Sequence, residues 1–223
     1  RGESISDTAR VLSRYVDVVL LRTSKHESLM QLVENSNIPI INGLTDRTHP
    51  CQLLADILTF EEHKGPIKGR KITWIGDGNN MAATWIQAAY KFDFSLILAC
   101  PPQHKPETEI LHWAKSKGAD VSTSTDISEA AQGADCIVTD TWISMSDDQN
   151  SQKIDNLKPF QVDETVMARA DKSAIFLHCL PAKRGLEVSA GVLESKHSVV
   201  FDAAENRLHT QKAVLLWCLA KSN

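Results

Sequence analysis

Short apolar runs alternate with stretches of helical periodicity along nearly the whole of this chain, and that alternation leaves few folds open. The runs read as strands are 16–21, 38–41, 71–75, 95–99, 134–139, 174–177 and a short 199–202. The stretches read as helices are 26–35, 50–63, 79–91, 106–117, one near 163–170 and one at about 205–220. A strand, a helix of this length and a second strand in succession imply a crossover, and repeated crossovers build a doubly wound parallel sheet. Ser6 is the expected cap of an opening helix that holds Ala9, Val11 and Leu12. Asn42-Gly43 reads as the close of strand 38–41. Gly65-Pro66 and Gly69 read as a boundary between domains. The polar stretch 146–158 reads as a long loop, either a lid or plain surface.

Polar motifs stand where apolar runs end. They are His49-Pro50-Cys51-Gln52, Gly76-Asp77-Gly78-Asn79-Asn80, the segment from Asp140 through Ser144-Met145, His178-Cys179-Leu180-Pro181 and Glu205-Asn206-Arg207. Ligands of open parallel sheets bind at the carboxyl ends of strands, so motifs recurring there point to one assembled site and to an enzyme. Pro181 turns the chain just after the tip that carries His178 and Cys179. Asp140 ends another run. A carboxylate meeting a thiol or imidazole in a cleft can orient and deprotonate an amine. The glycines of 76–80 lack G-x-G-x-x-G spacing, which argues against a nicotinamide dehydrogenase.

Composition narrows the partners. A net charge of −4 gives no electrostatic footprint for nucleic acid. No apolar stretch reaches the roughly 20 residues that span a membrane. Five cysteines, an odd number with no C-x-x-C pair, read as free thiols in a reducing compartment. Cys51, Cys100, Cys136 and Cys218 are expected to be packing thiols, Met81 and Trp85 core residues, and Arg10 and Arg14 surface groups. His104, His112, His197 and His209 are expected in solvated or capping roles. No cofactor and no metal are expected.

Taken together, the motifs around His49, Asp140, His178 and Glu205 resemble the ornithine carbamoyltransferases of the aspartate/ornithine carbamoyltransferase superfamily, in the same order and over essentially the whole chain. The resemblance implies two Rossmann-like domains, the first incomplete here, bridged by interdomain helices. It places a remnant of a carbamoyl-phosphate domain at 1–48, with the helix 205–223 packing back on it, and an ornithine-binding domain at 49–204. It implies transfer of a carbamoyl group from carbamoyl phosphate to the δ-amine of L-ornithine, giving L-citrulline and phosphate in arginine metabolism. Carbamoyl-phosphate contacts carried over are Arg22, His49, Gln52, Cys179, the backbone of Leu180 and Arg207. Ornithine contacts carried over are Asn80, Asp140, Ser144 and Met145. Cys179, Asp140, His49 and Arg22 are the implied catalytic groups.

The physical chemistry of these residues agrees with that assignment. Arginine presents a fork of donors that suits phosphate and carbonyl oxygens. His49 and Gln52, three apart at a helix start, face one way and can polarise a carbamoyl oxygen. A lysine-like δ-amine has a reference pKa near ~10.4, so the site must admit or generate the neutral form that attacks. Two departures from the pattern stand out. The family's upstream phosphate loop, Ser-Thr-Arg-Thr-Arg, is not in this sequence, which leaves open a catalytically incomplete fragment. Its Ser-Met-Gly reads Ser144-Met145-Ser146. Putrescine, N-acylated ornithine and aspartate remain alternative acceptors, although Asp140 suits a free α-amino group. The resemblance further implies a homotrimer or multiple of trimers and a cytoplasmic enzyme. An organellar address stays open, because such evidence would lie upstream.

Overall fold

The computed structural model describes residues 2–143 and 151–221. The first part of the chain makes a parallel pair of strands, β1 (Val19–Arg22) and β2 (Ile40–Leu44), with α1 (Ile5–Leu12) and α2 (His26–Glu34) before each. Ser4, not Ser6, caps α1. Its hydroxyl accepts from the Asp7 N–H at 3.1 Å, because only the residue outside the first turn can reach that donor. Strand β2 runs on through Asn42-Gly43 instead of closing there. A Cβ at Gly43 would sit 2.5 Å from Leu20 Cδ2, so this glycine serves close packing of β1 on β2 and not a turn.

Helix α3 (Pro50–Lys64) leads to the second part, a parallel sheet ordered β5-β4-β3-β6-β7. Its strands are β3 (Lys71–Ile75), β4 (Ser95–Ala99), β5 (Val121–Ser124), β6 (Cys136–Thr139) and β7 (Ile175–His178). The chain builds outward from β3 through β4 to β5, then returns to lay β6 and β7 on the opposite side. Strand order therefore reverses between β3 and β6. Crevices at such reversals hold ligands.

Both faces of this sheet are buried. On one, Phe60 of α3 and Trp85 and Ile86 of α4 (Asn80–Phe92) pack over Trp74, Leu96 and Leu98. α5 (Thr108–Ser116) extends that layer through Ala114. On the other face, Ile75, Ile137 and Phe176 meet α6 (Ile127–Ala131), which is joined there by α8 (Glu164–Met167) and α9 (Ala190–Leu193). Continuous apolar burial is what doubly covered parallel strands require.

Two segments differ from expectation. The stretch 146–158 is not loop throughout: α7 (Ser151–Leu157) packs Ile154 and Leu157 against Trp142 and Ile143. Residues 146–150 lie outside the described residues. The run 199–202 is not a strand but the first turn of α10 (Val200–Lys221). The Val199 N–H makes one bond to Phe176 O, after which Ala203 N–H bonds back to Val199 O and the helix begins. Val200 is buried over β7 in that turn, so a β-branched pair that looked like a strand is helical packing.

Helix α10 lies along α3. Asn206 Nδ2 donates to Thr59 Oγ1 at 2.9 Å and to Glu62 Oε2 at 2.6 Å. Farther along α10, Val214, Leu215 and Cys218 close over Ile41 and Cys51. Among the described residues no helix is long and apolar enough to cross a membrane.

Candidate active site

Three strand tips converge at the reversal of strand order. After β3, Gly76 takes φ 128°, a conformation that suits glycine alone. Gly78 follows, where a Cβ would come 2.2 Å from Pro106 N. These glycines let the loop fold tightly, and they set Asn79 as the N-cap of α4. Asn79 Oδ1 accepts from the N–H groups of Met81 and Ala82 at 2.9 and 3.1 Å. Its Nδ2 is thereby fixed toward the tip of β6, where it donates to Asp140 Oδ2 at 2.8 Å. The other oxygen of Asp140 accepts from the Thr141 N–H and from the Cys179 thiol, each at 2.7 Å.

Cys179 stands just past β7. Burial pushes its thiol well above 9, and the neighbouring Asp140 carboxylate adds to the rise. At neutral pH the group is therefore a thiol that donates to Asp140. The Leu180 N–H donates to His178 Nδ1 at 2.8 Å, which puts the imidazole proton on Nε2, 3.4 Å from Glu187 Oε1. Leu180 itself takes φ 52°, a left-handed conformation that costs a side-chain-bearing residue about 1–2 kcal/mol. Glu187 Oε1 also accepts from the Lys183 N–H, which ties Glu187 to the segment after the turn. Asp140, His178 and Cys179 offer ligand atoms within 4.8 Å of one another. His178 Nδ1 and the Cys179 proton are already engaged in hydrogen bonds, so the set is built as a hydrogen-bond network.

A second set of polar groups comes from the start of α3 and from α10. His49 is the N-cap residue of α3, and its N–H donates to Thr84 Oγ1 at 2.9 Å, tying α3 to α4. Burial, then the positive charges of Arg207 and Arg22, lower the His49 pKa to about 4. His49 is thus a neutral imidazole in a cationic field. His49 Nδ1, Gln52 Oε1 and Arg207 Nε are buried without a hydrogen-bond partner. Buried polar atoms of native proteins are paired, so three such atoms on neighbouring groups mark where a polar ligand docks. Arg207 shares with Cys179 and Leu180 an open cavity of about 720 Å³.

The structure therefore brings together Arg22, His49, Gln52, Asp140, Cys179, Leu180 and Arg207. Arg22 reaches the group from the end of β1. Asn80 lies beside it, and its Nδ2 donates to Thr45 O at 2.8 Å, a bond that joins α4 to the segment after β2. Ser144 and Met145 lie outside the described residues. Sequence reasoning missed Asn79, Thr84 and the His178–Glu187 pair. The doubled asparagine before an apolar run was a cap signal for Asn79, and no local pattern announces the others.

Two family descriptions match this chain. Residues 1–62 match the carbamoyl-P binding domain of aspartate/ornithine carbamoyltransferase, and residues 68–218 match its Asp/Orn binding domain. The chain belongs to the aspartate/ornithine carbamoyltransferase family. Within it, an ornithine carbamoyltransferase of Rhodopseudomonas palustris is 54% identical over 219 residues, covering 98% of this chain and 71% of that protein. Among solved structures, the ornithine carbamoyltransferase of Pyrococcus furiosus is 42% identical with a TM-score of 0.93, covering 99% of this chain and 72% of that one. The anabolic ornithine carbamoyltransferase of Campylobacter jejuni is 39% identical with a TM-score of 0.94, covering all of this chain (100%) and 75% of that one. The two-domain Rossmann-like architecture of this carbamoyltransferase family is the fold described above.

Proposed function

We propose that this protein transfers the carbamoyl group of carbamoyl phosphate to the δ-amine of L-ornithine, releasing L-citrulline and phosphate. The observation that carries the reading is the cleft itself. The Cys179 thiol is bonded to Asp140 and shares a cavity with Arg207, and the neutral His49 stands in the field of Arg207 and Arg22. Arg22 and Arg207 hold phosphate and carbamoyl oxygens, and His49 donates one N–H to the carbamoyl oxygen as negative charge builds there. Asn80 with Ser144 and Met145 receives the α-amino acid end of ornithine.

The neutral δ-amine attacks the carbamoyl carbon. The C–N bond forms, the C–O bond to phosphorus-bound oxygen breaks, and its electron pair leaves with phosphate. The nitrogen then loses a proton to Cys179 Sγ, whose own proton passes to Asp140 Oδ1. Bringing two substrates together supplies much of the remaining acceleration. The reading includes a cytoplasmic homotrimer, or a multiple of trimers, serving arginine biosynthesis. Its support is the resemblance and the anabolic relative, and sedimentation tests the trimer.

Incubation with carbamoyl phosphate and a panel of ornithine, N-acetylornithine, putrescine and aspartate tests the chemistry. Citrulline from ornithine alone is expected. Ureido product from another amine sinks the acceptor assignment, and no product from any amine replaces the reading with a catalytically incomplete fragment.

A further inference from the structure

Asp56 is a buried carboxyl that none of the steps above uses. It sits on α3 one turn beyond Gln52 and is 2% exposed, and Gln52 is 1% exposed. Positions four apart share a helix face. Gln52 Nε2 donates to Asp56 Oδ1 at 2.9 Å. A carboxylate has acceptors only, so it admits the N–H₂ end of an amide and turns the carbonyl end away. That carbonyl oxygen, Gln52 Oε1, is buried with no partner, as are His49 Nδ1 and Arg207 Nε, and Arg207 acts electrostatically on both His49 and Asp56. A buried acceptor fixed in this way asks its ligand for an N–H.

We propose that Asp56 is a positioning residue that commits the Gln52 amide to one orientation, so that the Gln52 carbonyl reads the amino group of carbamoyl phosphate and disfavours acyl phosphates bearing a methyl group there. The inference rests on the carbamoyl-transfer reading. Both phosphates present the same anion to the arginines, so Arg22 and Arg207 cannot tell them apart. A methyl group against Oε1 leaves a buried acceptor unpaired, a penalty of about ten- to a hundredfold in affinity.

The charged groups around Asp56 fit this role. Burial pushes its carboxyl up to about 7, and Asp140 adds to the rise. The Gln52 N–H and Arg207 oppose it. Cys136 and Cys179, the other titratable neighbours, are held above 9 and stay uncharged. Orientation is therefore firmest on the alkaline side, where Asp56 is ionised. A protonated Asp56 can donate its O–H to Gln52 Oε1 and accept the flipped amide.

The test swaps the two functional groups. Asp56→Asn can face Gln52 either way round, so it no longer dictates the amide. Gln52→Glu sets two carboxylates together. The double variant Q52E/D56N restores one N–H₂ to acceptor bond and again turns an acceptor into the site, now from residue 52. Steady-state kinetics at a pH about one unit above the Asp56 value, with acetyl phosphate as competitive inhibitor, gives the readout. D56N should raise KM for carbamoyl phosphate about tenfold or more, with ornithine KM and the inhibition constants of acetyl and inorganic phosphate within about twofold. The swap should regain most of the loss, which a merely structural role for Asp56 does not produce.

A D56N protein with the parent's preference for carbamoyl over acetyl phosphate overturns the proposal. So does a swap no better than its worse single variant, or a D56N protein whose phosphate inhibition weakens in step with KM. Should D56N fail to fold, the parent protein decides. Its preference for carbamoyl over acetyl phosphate should fall as pH drops from about 8 to 6, and a flat preference overturns the inference. If the parent makes no citrulline, the carbamoyl-transfer reading fails and this inference falls with it, whereas citrulline made with an unchanged preference overturns the inference alone.

Discussion

Cys179 is partly exposed, and Cys51, Cys100, Cys136 and Cys218 are buried. Exposure alone would mark Cys179 as reactive, yet burial of its sulfur and the Asp140 carboxylate keep it a thiol. Alkylation of Cys179 should therefore be slow at neutral pH and accelerate only above pH 9. Labelling followed by peptide mass spectrometry measures this, and rapid labelling near neutrality would show a thiolate instead. Cys179→Ser keeps a donor to Asp140 but exchanges a polarisable sulfur for a poorer proton carrier. Its kcat should fall about 100-fold while KM for carbamoyl phosphate stays nearly constant. An unchanged kcat would remove Cys179 from the proton path. At this scale the sequence made Asp140 and Cys179 legible, because each directly follows a buried apolar run. Asp56 was hidden for the opposite reason: it lies inside such a run, among Leu53, Ala55 and Ile57, where only apolar periodicity was read.

Asn79 belongs to the scale of elements, since one carboxamide both starts α4 and holds Asp140. Its two duties can be separated. Asn79→Asp keeps an acceptor for the cap but sets a carboxylate against Asp140, so stability should hold within about 1 kcal/mol while ornithine KM rises. Asn79→Ala removes both duties and should cost about 1–2 kcal/mol of unfolding free energy as well. Denaturant titration beside kinetics distinguishes them, and equal kinetics in Asn79→Asp and the parent would discard the link to Asp140.

Elements were legible where burial is two-sided. β3 and β4 fall where their apolar runs place them. β5 escaped notice because an edge strand reading Val121-Ser-Thr-Ser124 buries too little to leave a pattern. α6, five residues long and capped by Asp126, is too short to show a period. The start of α10 was misread because Val199 and Val200 favour strands by propensity, while packing over β7 decides the outcome.

For the whole molecule, His49 and Asp56 pull on stability in opposite directions. His49 falls from 6.5 to about 4 in the folded state. Between those values the unfolded chain takes a proton that the folded one refuses, so acidification destabilises, by up to about 3 kcal/mol. Asp56 rises from 3.8 to about 7, so over that window the folded chain holds a proton that the unfolded one lacks and acidification stabilises. In the parent the two largely offset. His49→Gln should therefore gain stability as pH falls from about 7 to 5, and Asp56→Asn should lose it. Denaturation midpoints across pH check this, and variant curves parallel to the parent's would refute it.

The groups that share the cleft are drawn from nearly the full length of the chain. Arg22 and His49 come early, Asp140 and Cys179 much later, and Arg207 only on α10, the last described helix. A ribosome thus delivers the second guanidinium after every strand of both sheets has emerged. Chains stalled before residue 207 should consume no carbamoyl phosphate, however much sheet they have assembled. The order of synthesis itself therefore delays chemistry until the strands of both sheets have been made.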